Sequence, residues 1–233
     1  MNFEKEKKEF LAKKDKSRKG SIDGKIRRLV NKINSLDDFF TTSSCSGRIM
    51  LFSLPKSNKK NEVQYLFCSH KKIRYNDIKK TLKNSKGIFG ELGNQRFPVS
   101  RKSVGFSRMP KNSKNFSSIL KTINTKIKLK NDIWFRMGGA ILHVASNNMY
   151  SARKLLNAAR DIGFRRSGII SLGKNRVTME LISTERIETI VGKNGKLVID
   201  DDYFKVLVEE GNKKLEKTWG KVDKLHRALE AHF

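Results

Sequence analysis

Residues Thr41–Arg48 form a hydroxyl-rich segment that is suited to hold a small polar molecule. Five hydroxyl side chains, a thiol, a glycine and an arginine occur there, and no hydrophobic period explains the run. The segment lies where a helical pattern gives way to a strand pattern, a common position for a binding site. Arg48 can bind a carboxylate or phosphate bidentately, but a structural salt bridge explains it equally well. The chemistry alone leaves both a ligand site and a structural turn open.

Two residues elsewhere, Asp23 and His143, could accept a proton in a reaction. Asp23 follows Ser21, the expected N-cap of a helix, and would lie in the first turn, where a carboxylate suits the helix dipole. His143 lies in the apolar run Ala140–Ala145, where a lone histidine is more often structural than catalytic. Spacing alone assigns neither residue to catalysis.

The cysteine and glycine patterns argue against a metal centre and against the usual nucleotide-binding folds. Cys45 and Cys68 lack the paired spacing of a zinc site even when the neighbouring His70 is counted, so no metal is expected. The run Gly168–Asn175 resembles a phosphate-binding loop, but it ends in asparagine where Ser or Thr is needed to reach magnesium. A dinucleotide-binding glycine fingerprint is missing as well.

The 233 residues carry a formal net charge of +28, from 51 Lys and Arg against 23 Asp and Glu. A charge this large favours a polyanionic partner, because phosphates attract basic side chains at long range. A lysine-rich genome bias and an acidic membrane surface are the alternatives. Residues 84–118 are expected to form a long basic loop, which interleaves aromatic and basic side chains. These aromatic rings could stack on unpaired bases or pin the loop to the protein.

Cysteine content and hydropathy predict an intracellular, cytoplasmic protein. Two cysteines do not make a disulfide framework, so both thiols are expected to be reduced. The N-terminus lacks an apolar signal region. No apolar run approaches the roughly 18 residues that are needed to span a membrane.

A length of 233 residues allows one large domain or two small ones. The order of helices and strands predicts an α/β (α+β) fold, and we expect a single domain over residues 1–233 built on one mixed sheet with flanking helices. Helices are expected at 1–14, 22–36, 76–82, 119–128, 151–162 and 202–231. Asn148 or Ser151 is expected to cap the helix at 151–162, and Gly163 fits its C-terminal stop. Strands are expected at 49–52, 63–68, 133–137, 140–145, 167–171 and 177–182, and Asn194-Gly195 predicts a tight hairpin. A helix followed by two strands occurs at 21–69 and again at 151–182, and a duplicated unit is one interpretation of this pattern.

Short motifs across most of the chain together resemble one family, the tRNA wybutosine-synthesising methyltransferases. They occur in family order and are Lys14–Asp23, Thr42–Ile49, Ser69-His70, Trp134, Ile141–Val144, Ala158–Ile169, Ser183–Arg186 and Asn212–Leu215. No single motif decides the resemblance, but the ordered set is specific. The chain departs from the family at Gly138-Gly139, where members often have a larger residue and a proline. The span from His70 to Trp134 is also longer than in the family, so the resemblance implies a basic loop insertion at 84–118.

The resemblance implies transfer of a methyl group from S-adenosylmethionine to the N4 ring nitrogen of a 4-demethylwyosine-type guanosine at position 37 of tRNA-Phe. It also implies an α/β fold unlike the doubly wound methyltransferases, which agrees with the missing glycine fingerprint. The expected partners are therefore tRNA-Phe, through its anticodon stem-loop, and S-adenosylmethionine. The alternative is a non-catalytic basic RNA-binding protein, which needs the charge and the aromatic rings but not the hydroxyl-rich segment.

The resemblance also implies three groups of site residues. The candidate proton acceptors are Asp23 and His143. The donor site comprises Ser43, Ser44, Cys45, Ser46, Gly47, Arg48 and His70, with Arg48 on the carboxylate of the donor. The substrate and RNA contacts are Lys16, Ser17, Lys19, Trp134, Ser183, Thr184 and Arg186, with Trp134 stacking on the unstacked base.

Overall fold

The computed structural model describes residues 2–12, 21–55, 63–78, 131–194 and 196–233. Several predictions fall outside these residues: the basic insertion at 84–118, the helix at 119–128, and the RNA contacts Lys16, Ser17 and Lys19. The chain divides into two compact units. The first unit comprises Met1–Arg48, Met137–Arg186 and Lys213–Phe233, and the second comprises Ile49–Arg136 and Ile187–Asn212. Organisation as a single domain stays a prediction.

The helices and strands confirm the α+β class. The helices of the described residues are α1 (Phe3–Ala12), α2 (Gly24–Ser35), α3 (Met149–Ile162) and α4 (Asp201–His232). The strands are β1 (Phe39–Cys45), β2 (Arg48–Leu54), β3 (Gln64–Ser69), β4 (Asp132–Gly138), β5 (Ile141–Ser146), β6 (Gly168–Leu172), β7 (Val177–Ile182), β8 (Arg186–Lys193) and β9 (Lys196–Leu197). Among the described residues, no helix is both long enough and apolar enough to cross a membrane.

The first unit is built on a four-stranded sheet in the order β1-β5-β7-β6, and all three neighbouring pairs are antiparallel. Side chains alternate between the two faces of a strand, so one face carries buried residues such as Leu142 and Val144. Apolar residues of α2, α3 and α4 join the same core, among them Ile26, Leu155 and Leu225. Burial of each such side chain contributes about 1.5–3 kcal/mol relative to an exposed position.

The opposite face of this sheet is covered in part by α1. Phe3 and Phe10 of α1 pack on Phe40 of β1, with ring centroids 5.3 and 5.4 Å away. Phe40 is paired with Ala145 of β5, which belongs to the same apolar cluster. His143 lies two residues before Ala145 and therefore on the same face, where its side chain stays 34% exposed.

Local signals in the sequence set several element ends correctly. The side-chain oxygen of Asn148 accepts a hydrogen bond from the backbone N–H of Ser151 at 2.8 Å and so caps α3. Gly163 ends this helix with a φ of +110°, a conformation that glycine adopts without strain. Asn194 joins β8 to β9 with a φ of +48°, as a tight hairpin turn requires. These observations confirm the predicted cap, helix stop and hairpin.

The second unit contains a five-stranded sheet in the order β3-β2-β4-β8-β9. Strands β2 and β3 are antiparallel, and so are β8 and β9. Trp134 of β4 packs in an apolar cluster with Met50 and Phe52. Its neighbour Phe135 lies against Phe204 of α4, with ring centroids 6.0 Å apart. The half-buried indole of Trp134 therefore packs on apolar side chains of the second unit.

The hydroxyl-rich segment differs from its expected form. Most of it is strand β1 and not a turn, because its backbone pairs with β5 from Phe39↔Ser146 to Cys45↔Ile141. The duplication suggested by the sequence consists of a helix followed directly by two strands. Because β1 lies between α2 and β2, the two halves correspond only in their antiparallel strand pairs, β2–β3 and β6–β7.

The described strands form two sheets, where the sequence suggested one mixed sheet. Ser46-Gly47 separates β1 from β2, and Gly139-Ala140 separates β4 from β5. In both cases the two consecutive strands belong to different sheets. Which sheet a strand joins depends on backbone pairing between distant segments, and the local pattern of each strand does not encode it.

Gly139 occupies a position with no room for a side chain. A Cβ atom there would lie 2.8 Å from the carbonyl oxygen of Glu185 and 2.9 Å from both the Cβ of Ser183 and the Oγ1 of Thr218. The adjacent Gly138 has nothing within 4 Å of its corresponding position. The close approach at Gly139 leaves room for no residue larger than glycine at this position.

We expect Gly139→Ala to lower the free energy of unfolding by about 1–3 kcal/mol, because the added methyl group overpacks a position enclosed partly by backbone. Gly138→Ala is the matched control and should be neutral or stabilising, since its methyl group enters open space. Urea unfolding followed by circular dichroism measures both changes. Equal stability of the two variants would contradict the role assigned to Gly139.

Candidate functional site

The turn Ser46-Gly47 is held by residues of α4 and of the N-terminal end of α2. The Asp23 carboxylate accepts hydrogen bonds from the backbone N–H of Ser46 at 3.2 Å and from its hydroxyl at 3.1 Å. The indole N–H of Trp219 donates to the Ser46 carbonyl oxygen at 3.0 Å. Gly47 has a φ of +96°, and a Cβ atom there would lie 3.0 Å from Cδ1 of Leu215. The positive φ favours glycine at this position, and an added Cβ atom would also crowd the Gly138 carbonyl oxygen at 3.0 Å.

Asp23 is a positioning residue for this turn. The prediction that Ser21 caps α2 is wrong, because the helix begins at Gly24 and Asp23 itself is the N-cap residue. The Asp23 side chain makes no capping hydrogen bond and binds Ser46 instead. Asp23 was one of the two candidate proton acceptors. Its carboxylate is instead engaged by Ser46, a residue distant in the sequence.

The predicted donor-site residues of β1 do not all face one side. In the register, Ser43 lies opposite His143 and Ser44 lies opposite the buried Leu142, so the two serines point to opposite faces of the sheet. Ser46, at the turn, is 1% exposed. Ser43 and Arg48 are exposed, whereas Ser44 and Cys45 are half-buried. A ligand at the surface could therefore reach Ser43 and Arg48 most easily.

Ser43, His143 and Glu180 form a hydrogen-bonded row across three strands. The Ser43 hydroxyl lies 2.8 Å from Nδ1 of His143, and Nε2 of His143 lies 3.0 Å from Oε1 of Glu180. The side chains of His143 and Glu180 are 34% and 30% exposed. The row therefore lies at the surface of the sheet, within reach of solvent and of a bound substrate.

The predicted RNA contacts that follow β7 have different surroundings. Ser183 is buried, and its hydroxyl oxygen accepts a hydrogen bond from the Thr218 hydroxyl at 2.6 Å. Thr184 is exposed, and its hydroxyl accepts a hydrogen bond from Nζ of Lys221 at 2.9 Å. Arg186 is exposed as well. Ser183 thus takes part in internal hydrogen bonding, while Thr184 and Arg186 lie at the surface.

Glu185 is a carboxylate buried beneath lysines of α4. Its side chain is 7% exposed, and among the described residues Lys221, Lys217 and Lys214 approach it at 2.7, 3.5 and 3.9 Å. Burial alone raises the pKa of Glu185, but the hydrogen bond from Lys221 and the charges of the three lysines outweigh it, so the pKa lies below its ordinary value. Because three ammonium groups surround a single carboxylate, this face of α4 carries a positive charge.

The remaining predicted site residues, His70 and Trp134, belong to the second unit, and both are half-buried.

The second unit also contains an open cleft of about 530 Å³, lined by Lys72, Ile73, Arg74, Asp77 and Asn212. Small-molecule sites span roughly 300–1,000 Å³, and two cations suit an anionic group. Asn212, a residue of a family motif, exchanges hydrogen bonds of 2.9 and 2.7 Å with the backbone of Ile73.

Sequence reasoning missed three residues that organise the first unit: Glu180, Trp219 and Lys221. The alternation of β7 offered a signal for Glu180, because a charged residue between Met179 and Leu181 must point away from the core. The hydrogen bond from Trp219 to Ser46 joins residues far apart in the chain and has no signature in the sequence.

Known proteins match this chain from end to end. The family Methyltransferase TYW3 matches residues 5–231. The tRNA(Phe) 7-((3-amino-3-carboxypropyl)-4-demethylwyosine(37)-N(4))-methyltransferase 1 of Pyrococcus furiosus is 29% identical, over 99% of this chain and 96% of the relative. The methyltransferase of that description from Archaeoglobus fulgidus is 31% identical, over 90% of this chain and 84% of the relative. A solved protein structure from Pyrococcus horikoshii has 27% identity and a TM-score of 0.73, and the match covers 98% of this chain and 96% of that chain.

The fold and these matches define an α+β methyltransferase and not one of the doubly wound class. The chain belongs to the TYW3 methyltransferase family. Both the family resemblance and the fold class predicted from the sequence are therefore confirmed.

Glu185→Gln should lower stability at neutral pH by about 1.5–3 kcal/mol, the usual contribution of a hydrogen bond to a charged group. Folding lowers the pKa of Glu185, so its contribution is present above the pKa of the unfolded chain and is lost as the pH falls through the folded pKa. The difference from wild type should therefore disappear in acid. Thermal unfolding over a range of pH measures it.

Glu230→Gln is the control for this experiment. Glu230 is an exposed partner of His226, at 3.5 Å, and its replacement should change stability by less than about 0.5 kcal/mol. A destabilisation by Glu185→Gln that does not depend on pH would show that Glu185 acts through packing and not through its charge.

Proposed function

We propose that this protein transfers a methyl group from S-adenosylmethionine to the N4 ring nitrogen of a 4-demethylwyosine-type guanosine at position 37 of tRNA-Phe. The observation that carries the proposal is the match along 99% of the chain to a relative named for this reaction. A match of this extent includes every segment that contains a predicted site residue. The reaction is a step in the biosynthesis of wybutosine derivatives.

The donor supplies a methyl group on a positively charged sulfur, and the protein must offer a partner for its carboxylate. Arg48 fits this need, because its exposed guanidinium can bind a carboxylate bidentately. Asp23 and Trp219 hold the turn directly before Arg48, so its backbone is fixed before the ligand arrives. Ser44, Cys45 and His70 remain proposed further contacts of the donor.

The acceptor base must be unstacked from the tRNA and aligned with the donor, because positioning is the main catalytic contribution in a methyl transfer. Trp134 is proposed to hold the base against its indole ring. Its place in an apolar cluster of the second unit supports this role, since a ring already packed on apolar side chains loses less freedom on binding.

The lysine face of α4 is proposed to bind phosphates of the tRNA. We define this lysine face as Lys214, Lys217 and Lys221 around Glu185. Lys221 is 14% exposed and engaged at 2.7 Å, whereas Lys214 and Lys217 are 37% and 68% exposed and lie farther from the carboxylate. The two outer lysines therefore keep hydrogen atoms to donate to a phosphate. Thr184 and Arg186, exposed beside Glu185, extend this surface.

Mass analysis of the modified nucleoside tests the reaction directly. We expect incubation of precursor tRNA-Phe with the protein and S-adenosylmethionine to add one methyl group to the tricyclic base.

Arg48→Ala should weaken donor binding about tenfold or more by titration calorimetry, because a charge-assisted pair is lost, while tRNA binding is nearly unchanged. Arg153→Ala, an exposed arginine of α3, is the control for donor affinity. Unmodified nucleoside with properly folded wild-type protein would refute the proposed reaction.

Replacing Lys214 and Lys217 together by alanine should weaken tRNA binding and reduce the salt dependence of the dissociation constant. Each lost phosphate contact lowers the slope of log Kd against log salt by about one. Filter binding at several salt concentrations measures this slope. Lys154→Ala is the control, because Lys154 donates to the carbonyl oxygen of His232 and lies over the ring of Phe233. An unchanged slope in the double variant would place the phosphates elsewhere.

A further inference from the structure

We propose that Ser43, His143 and Glu180 form a proton relay that removes the proton of the acceptor ring nitrogen during methyl transfer. This inference rests on the proposed function and adds to it the path of the leaving proton. Ser43 would touch the substrate, His143 would receive the proton, and Glu180 would act as a positioning residue. The sequence predicts His143 as one of two candidate bases and Ser43 as a contact of the donor, whereas Glu180 is not among the predicted site residues.

The three side chains lie side by side because of the register of the sheet. His143 of β5 pairs with Ser43 of β1 on one side and with Glu180 of β7 on the other. The β1–β5 register shifts between Thr41 and Ser43, so that Ser43, and not Thr42, stands opposite His143. Such a bulge re-aims a side chain, and bulges are frequent beside active sites. Here it places an exposed hydroxyl at one end of the row.

The chemistry of the partners fixes the direction of the hydrogen bonds. An ionised carboxylate can only accept, so the 3.0 Å contact with Glu180 requires the proton of neutral His143 to be on Nε2. The Nδ1 atom is then an acceptor for the Ser43 hydroxyl at 2.8 Å. The oxygen of Ser43 keeps lone pairs that can accept a hydrogen bond from the N–H of the substrate.

The reaction balances along this row. The bond between sulfur and the methyl carbon breaks, its electron pair stays on sulfur, and the donor loses its positive charge. A bond forms between the methyl carbon and the ring nitrogen, whose proton passes to the oxygen of Ser43. The hydroxyl proton of Ser43 passes to Nδ1 of His143, which becomes an imidazolium paired with the Glu180 carboxylate. No further reactant is needed.

Asp23, the other candidate base, is engaged in a different way. Asp23 is half-buried, and its carboxylate accepts hydrogen bonds from both the backbone N–H and the hydroxyl of Ser46. The His143 row, in contrast, begins at an exposed hydroxyl. The relay therefore offers the reacting nitrogen a proton acceptor at the surface, and Asp23 keeps its role in holding the turn.

Ser43→Ala and Glu180→Gln test the relay in single-turnover methylation. We expect each variant to slow the reaction about 100-fold, the lower end of the range for a positioned general base, with donor and tRNA affinities within about twofold of wild type. Ser35→Ala and Glu230→Gln are matched controls, since both residues lie outside the row and Glu230 also pairs with a histidine. Wild-type rates in both relay variants would overturn the inference, and so would lost donor affinity at an unchanged rate. If wild-type protein left the nucleoside unmethylated, the proposed function would fail as well.

The tautomer of His143 gives a second readout that needs neither donor nor tRNA. Nitrogen-15 NMR of the histidine ring should show the proton on Nε2 in wild type and in Ser43→Ala. Glu180→Gln should give a mixture of tautomers, because an amide can offer either its oxygen or its N–H. A ring protonated on Nδ1 in the wild-type protein would overturn the relay, whatever the methylation rates.

Discussion

The bond between the Asp23 carboxylate and Ser46 is the contact on which the site in the first unit depends. It joins the start of α2 to the end of β1, residues 23 positions apart in the sequence. The indole N–H of Trp219 of α4 holds the same turn by donating a hydrogen bond to the Ser46 carbonyl oxygen. With this end of β1 fixed, the strand keeps its register against β5, and the side chains of Ser43 and His143 come within 2.8 Å. Positional accuracy of this kind is what a methyl transfer requires of a protein.

A second constraint comes from the charge buried at Glu185. A buried carboxylate is costly unless it is paired, and among the described residues three lysines of α4 approach it. The same segment includes Ser183, whose hydroxyl accepts from Thr218, and it lies against Gly139, which has no space for a side chain. These contacts fix α4 on the segment that follows β7 and hold its lysines at the surface that we propose for RNA.

Much of the fold could be predicted from local sequence. Asn148, Gly163 and Asn194 mark a cap, a helix end and a hairpin through their own conformational preferences, and the structure confirms all three. Hydrophobic periodicity located the helices and most strands of the described residues. It missed β1, because serine and threonine carry no hydrophobic period and only pairing with β5 makes this segment a strand. It also could not distribute the strands between two sheets.

By itself the sequence determined the family, the α+β class, the positive charge and the ends of several elements. Each of these depends on composition, on residues close together along the chain or on motif order. Only the tertiary structure decided that Asp23 holds a turn, that Ser43 and Ser44 face opposite sides, and that Glu180 binds His143. The physical reason is that hydrogen-bond partners and strand register are set between residues from 23 to about a hundred positions apart, where no local preference acts.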